Sequence, residues 1–253
     1  MKIYFAPDTR AVRIVWLLEE LGLPYELEFF KLGDASMRSP AYLEINPLGR
    51  VPTLVDDKVT IFESGAIVQY VLAKYGSGRL TPEVGSKEFP VYLQWFHFAE
   101  GMIMPPINTI VVETVLLSPE RRNQVDRATK LLSRMLASVD AGVRGREFLA
   151  GKFSAADIML GQACMAAARV GADFSGQPDL SAYLNRLRDR PAFKKKRVQR
   201  ESRGAGTSPH KPNRFVAAVR RSQMRIGAAI RTAKFVEETR FEYEMRLREL
   251  VVC

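Results

Sequence analysis

The chain is short of cysteine, histidine and long apolar runs, and each shortage removes a class of function. Of 253 residues only two are cysteine. Cys164 lies in an Ala/Met-rich stretch and Cys253 is the last residue, so neither a disulfide framework nor a Cys-x-x-Cys redox pair is present. The expected compartment is therefore the cytoplasm. Two histidines leave His97 without a neighbouring histidine to share an ion, so no metal is expected and His97 reads as a structural or interface residue. No run of about 18 apolar residues occurs, no charged-then-apolar leader is visible, and nothing follows Cys253 that would make a prenylation ending. Charge of one sign is also missing from most of the chain. From Lys194 onward there are 16 Lys+Arg and 6 Asp+Glu, which leaves 22 of each before it, so the net charge of +10 belongs to the C-terminal stretch.

What is present is a 47% hydrophobic composition, enough to build two packed units. Lys2–Phe5 reads as a short strand. Val12, Val15, Trp16, Leu18 and Leu21 recur at helical spacing until Gly22 and Pro24 stop the helix. Tyr25, Leu27 and Phe29 alternate as a strand, and Ser36 to Ile45 is a weakly patterned helical segment. Val51–Val55 and Val59–Phe62 flank Asp56-Asp57-Lys58 as a hairpin, and a further apolar helix follows Glu63-Ser64. The order is βαβαββα, whose compact solution is a sheet covered by helices. Gly76 to Ser86 is rich in turn formers and reads as a linker. Beyond it strand signals vanish. Phe89 to Ile103, Pro119 to Val143, Ser154 to Gly171 and Leu180 to Arg188 are helical by spacing, with Pro105-Pro106 expected to interrupt the first. The expected fold class is α+β, with units at 1–76, 77–86 (linker), 87–193 (all-helical) and 194–253 (a basic tail, partly disordered or helical).

Two motifs carry chemistry. In Asn46-Pro-Leu-Gly-Arg-Val-Pro-Thr-Leu, Val51-Pro52 is an X-Pro bond at the entrance to an extended run, where a cis peptide can be held. A cis bond there turns the Val51 amide outward, so that its N–H and C=O can pair with an extended peptide as a missing strand would. Glu63-Ser64 opens the helical run of Ile67, Val68, Val71 and Leu72. Ser64 thus sits where unpaired helix N–H groups favour an anion, and Glu63 beside it suits an ammonium. The pair fits an α-amino acid head group. A plainer reading of Ser64 is an N-cap. A third motif, Ser154-Ala-Ala-Asp157, has the spacing of a capping box and is read as structural.

The order and spacing of the Val-Pro turn and the Glu-Ser pair resemble the glutathione transferase family. The likeness extends to Asp8-Thr-Arg-Ala-Val-Arg-Ile-Val-Trp-Leu-Leu-Glu-Glu-Leu-Gly-Leu-Pro-Tyr-Glu, which looks like the first helix and second strand of bacterial and fungal members. It stops near Arg190-Pro-Ala-Phe193. The resemblance implies a thioredoxin-like first domain, glutathione as co-substrate, an apolar electrophile as second substrate, and a homodimer. Ser154–Asp157 resembles the family's folding box.

Such chemistry needs glutathione as a thiolate, and a free thiol with pKa near 8.5 is only a few per cent ionised at pH 7. Thr9 occupies the corner between the first strand and the first helix, where many relatives carry a serine, and is the candidate catalytic residue. Its hydroxyl can either steady the thiolate or cap the helix. Arg10 is a secondary candidate, since a cation near the sulfur would also stabilise the thiolate. Arg50, Val51, Pro52, Glu63 and Ser64 are the expected glutathione-binding residues, with Arg50 either pairing with the glycyl carboxylate or remaining a solvated loop cation. Met102 and Met104, in the segment Trp95-Phe-His-Phe-Ala-Glu-Gly-Met-Ile-Met104, are expected at the electrophile pocket, although core packing explains such residues equally well. A noncatalytic glutathione-binding protein of the same fold is the alternative.

Residues 200–213 are polar with Gly and Pro, whereas residues 214–250 have moderate helical spacing interspersed with Arg. The basic tail has three readings: a solvated appendage, a frame-shifted artefact, or an arm for nucleic acid or an anionic membrane.

Overall fold

The computed structural model describes residues 1–32, 35–118 and 123–195, the side chains of 115 and 116 excepted; expectations about residues 119–122 and about the tail from 196 onward lie outside the described residues. The first unit runs β1 (Lys2–Phe5), α1 (Ala11–Leu21), β2 (Glu26–Phe29), a 3₁₀ turn (Ala35–Arg38), α2 (Pro40–Ile45), β3 (Thr53–Asp56), β4 (Val59–Phe62) and α3 (Ser64–Tyr75). The helical part follows as α4 (Glu88–Phe98), α5 (Met104–Val111), α6 (Val125–Val143), α7 (Ala155–Arg169) and α8 (Pro178–Asp189).

The sheet has the order β2-β1-β3-β4, with β1 parallel to β2 and antiparallel to β3. Central β1 is covered on both faces. Ile3 and Phe5 enter the main core, whereas Tyr4 lies against the rings of Tyr42 and Phe30, at centroid distances of 5.0 and 6.0 Å. The β3–β4 hairpin registers Thr53 with Phe62 and Asp56 with Val59, which leaves Asp57-Lys58 as its turn. α1 ends where Gly22 takes φ 68°, a left-handed conformation that is cheap only without a Cβ, and its N–H reaches the carbonyls of Leu18 and Glu19.

Pro105-Pro106 does not interrupt the helical path. Five-residue π turns, Ala99–Ile103 and Val112–Leu116, join α4 to α5 and extend α5. The prolines fall in the first turn of α5, where missing N–H groups cost no regular hydrogen bond, and the π register at Ala99–Ile103 absorbs the change of phase. α6 begins at Val125, later than its spacing suggests.

α7 is the central helix of the second part and is buried along nearly its whole length. It starts at the capping box of Ser154 and Asp157. The Asp157 carboxylate accepts from the backbone N–H groups of Ser154 (2.8 Å) and Leu149 (3.0 Å), from the Ser154 hydroxyl (3.0 Å) and from Tyr183 OH (2.9 Å). One carboxylate thereby joins a loop, α7 and α8. Gly161 lets α8 come close, since a Cβ there would collide with the Leu187 side chain. One continuous core links the sheet, α1 and α3 to α4 and α7, and Trp16 of α1 lies fully buried within it. No helix among the described residues is long and apolar enough to cross a membrane.

Candidate functional site

The Val51–Pro52 peptide is cis. The turn leading to it is held by its own buried polar groups. The Arg50 carbonyl accepts from Tyr42 OH (2.6 Å) and from Asn46 Nδ2 (2.9 Å), and the same Nδ2 donates to Thr53 Oγ1 at 2.9 Å. Asn46 Oδ1 accepts from the Leu48 N–H at 3.0 Å, which closes a local Asx turn. Burial pushes the Tyr42 phenol up, so it serves here as a neutral donor. The result is a fixed backbone step at the mouth of β3 with Val51 half-buried and the Arg50 side chain exposed, without a partner among the described residues.

The second element is the start of α3. Ser64 is buried, whereas Glu63 before it is exposed and holds φ 71°, a left-handed value uncommon outside glycine. Backbone in such a conformation concentrates at ligand sites, where the surrounding structure can hold it. Ser64 Oγ accepts from Nη1 of Arg13, which comes from α1 and is completely buried. The same Nη1 donates to Glu100 Oε1, and Arg10 Nε donates to Glu100 Oε2 at 2.9 Å. Glu100 sits on the π turn between α4 and α5.

The cluster of Arg10, Arg13 and Glu100 therefore carries one excess positive charge directly behind Ser64. Burial pulls the Arg13 guanidinium down, with the Glu100 carboxylate opposing that pull. Burial alone would raise Glu100, but Arg13 and Arg10 outweigh it and hold its pKa below the ordinary value. Arg13 Nε and Nη2 are buried without a hydrogen-bond partner among the described residues. A half-satisfied buried cation beneath a helix N-terminus is a strong local source of positive potential. An anion at Ser64 would lie in that field.

The third element is the loop between β1 and α1. Asp8 holds φ 65°, and Thr9 Oγ1 donates to the Ala6 carbonyl (2.7 Å) while accepting from the Ala11 N–H (3.2 Å). The hydroxyl thus satisfies one N–H at the start of α1. Arg10, the next residue, connects this corner to Ser64 through Glu100 and Arg13. From the other side, α7 supplies Gln162 and Arg169 to the carbonyls of Thr9 and Asp8.

Of the residues picked out by sequence, Val51, Pro52, Glu63 and Ser64 stand at the ends of adjacent elements, β3 and α3, and Thr9 is linked to Ser64 by the charged chain. Met102 is 41% exposed on the π turn, whereas Met104 is 6% exposed and packs in the core. His97 is exposed and lies edge-on to Phe96 at 5.2 Å. Among the described residues no group of three or more His, Cys, Asp or Glu could hold a metal ion. Sequence reading missed Arg13, Glu100, Tyr42, Gln162 and Arg169. A usable signal existed for the first two, because each is a charge set inside an apolar helical run.

Comparison with known proteins identifies the family to which these elements belong. The family model described as the glutathione S-transferase N-terminal domain matches residues 1–73. The chain is 32% identical to glutathione S-transferase 3 of Schizosaccharomyces pombe over 75% of this chain and 84% of that protein. It is 34% identical to glutathione S-transferase 4 of Zea mays, over 77% of this chain and 91% of that one. Its fold is similar to the glutathione transferase URE2P6 from Phanerochaete chrysosporium, a structure in complex with oxidized glutathione. That likeness has a TM-score of 0.69 at 28% identity and covers 79% of this chain and 96% of the other. By sequence over most of its length and by the order and packing of its elements, this chain belongs to the glutathione S-transferase family.

Proposed function

We propose that the protein binds glutathione at the joined ends of β3 and α3 and presents its sulfur to an apolar electrophile. The observation that carries this reading is the positive cluster behind Ser64 with Glu63 exposed beside it. The γ-glutamyl carboxylate docks at the Ser64 end of α3, its ammonium faces Glu63, and Val51 pairs with the peptide backbone. Pro52 sets the direction of that step, and Arg50, exposed and without a partner among the described residues, reaches the glycyl carboxylate. The sulfur then lies toward the β1–α1 corner.

Thr9 steadies the thiolate there. A hydrogen bond to a charged acceptor contributes about 1.5–3 kcal/mol, and lowering a pKa by two units needs about 2.7 kcal/mol. One hydroxyl at the start of a helix is therefore nearly sufficient. The Thr9 hydroxyl, which donates to Ala6 O in the free protein, redirects its hydrogen bond to the sulfur while keeping its proton, because a charged acceptor makes the stronger bond. The thiol proton leaves to solvent, a sulfur lone pair forms the carbon–sulfur bond, and the leaving group departs with its bonding pair. Peroxide reduction is a side activity that begins from the same thiolate. Met102, which is exposed, and Met104, which is buried, are assigned to the electrophile side of the site. The reading takes residues 1–76 as the glutathione-binding domain, 77–86 as the linker and 87–193 as the helical domain. It includes a cytoplasmic homodimer.

The test is the ultraviolet thiolate absorbance of bound glutathione against pH, in the wild type and in Thr9→Ala, alongside conjugation of a chromogenic aryl halide. The expected result is a thiol pKa well below the free value that rises in Thr9→Ala. Binding with an unshifted pKa, and no conjugation, would instead identify a noncatalytic glutathione-binding protein.

A further inference from the structure

We propose that Arg169 and Gln162 of α7 are positioning residues that hold the Asp8–Thr9 loop, so that placement of the Thr9 hydroxyl depends on the helical part of the molecule. The proposal rests on the role given to Thr9 above.

The loop is not locally self-sufficient. Asp8 holds φ 65°, a conformation that costs a non-glycine residue energy and persists where other contacts over-determine it. Within the loop Thr9 Oγ1 bridges the Ala6 carbonyl and the Ala11 N–H, and α7 adds contacts from outside it. Arg169 Nη2 donates to the Asp8 carbonyl at 3.1 Å, and Nη1 lies 3.9 Å from Asp8 Oδ1. One planar guanidinium thus spans the carbonyl and the carboxylate of the same residue, a geometry that lysine cannot reproduce. Gln162 Nε2 is 3.4 Å from the Thr9 carbonyl. Gln162 is buried, its Oε1 has no hydrogen-bond partner among the described residues, and its Nε2 donates to the Thr9 carbonyl.

Residues 162 and 169 are seven apart and share one face of α7. The helix that carries them is itself immobilised by Asp157 and its four hydrogen bonds. The loop is thus referenced to a rigid element, as a site needs when small displacements carry large rate penalties. The carboxylate and backbone subsites lie on α3 and β3 instead. Releasing the α7 contacts should therefore affect the sulfur more than it affects the affinity for glutathione.

The experiment uses the full chain with Arg169→Met, Arg169→Lys and Gln162→Met, and compares each with Thr9→Ala. The readouts are the thiol pKa of bound glutathione and the separate kcat and glutathione KM for an aryl halide. Arg169→Met should raise the thiol pKa in the direction of Thr9→Ala and lower kcat by about tenfold, with KM changed by less than about twofold. Gln162→Met should do the same to a smaller extent, and Arg169→Lys, which keeps one donor, should recover part of the loss. If Thr9→Ala moves the pKa while folded Arg169→Met and Gln162→Met leave both pKa and kcat unchanged, the positioning role is overturned alone. If the wild-type thiol is unshifted, or Thr9→Ala does not move it, the Thr9 reading falls and the positioning role with it.

Discussion

Replacing Asp56 with Asn should destabilise the protein near neutrality and have almost no effect in strong acid. Asp56 ends β3, and its Oδ2 accepts from Tyr75 OH (2.5 Å), Tyr70 OH (2.8 Å) and Lys74 Nζ (2.9 Å), all from α3. Burial by itself would raise the carboxyl pKa. The hydrogen bonds from Tyr75, Lys74 and Tyr70 outweigh it and bring the value from 3.8 to about 2. Because the folded pKa is the lower one, the stabilisation is fully present above pH 3.8 and is lost as the pH falls through about 2. A shift of nearly two units corresponds to roughly 2.5 kcal/mol at most. Lys74 is 43% exposed, so solvent screens its share, and Asn would still accept from the tyrosines. The expected loss for Asp56→Asn is therefore about 1–1.5 kcal/mol, or roughly 2–6 °C in Tm for a chain of this size. Urea unfolding of both proteins at pH 7 and at about pH 1.5, below the folded pKa, measures it, with the m-value as a control for compactness. A deficit of the same size at both pH values would refute the electrostatic account, because a packing defect does not titrate.

Two further substitutions test other parts of the fold. Glu100→Gln leaves the buried Arg13 guanidinium without its counter-charge and should cost about 2–3 kcal/mol, below the usual figure for buried pairs because Glu100 is 34% exposed. Glu100 is held below its ordinary pKa of 4.5, so this deficit should be full above that pH and shrink as the pH falls below it, which calorimetric melts at two pH values would show. Asp157→Ala strands the N–H groups of Ser154 and Leu149 and the Tyr183 hydroxyl in the core. It should destabilise by about 3 kcal/mol or more, as chemical unfolding would establish.

Much of the fold was legible because its signals are short in range. The strand alternation of Leu27 and Phe29, the hairpin around Asp57-Lys58, the stop at Gly22 and the capping box at Ser154–Asp157 each depend on a few consecutive residues. The helical path through Pro105-Pro106 was not legible. Whether a proline breaks a helix or falls in a first turn depends on a π register upstream, and no local pattern announces that register.

The candidate site divides in the same way. The pieces are written in consecutive residues: an X-Pro step before β3, a Glu-Ser start to α3, and a hydroxyl where β1 meets α1. Each is local chemistry on a backbone whose unpaired groups are set by the element it begins or ends. Their surroundings follow from how distant elements pack. Arg13 meets Glu100 across 87 residues, and Gln162 and Arg169 meet Thr9 and Asp8 across 153 and 161. A charge within an apolar helix signals that it needs a partner, but which partner it finds depends on which helix faces pack together. That choice is made by the whole core, since non-directional burial of apolar surface brings the elements together and polar groups then pair with whatever lies opposite.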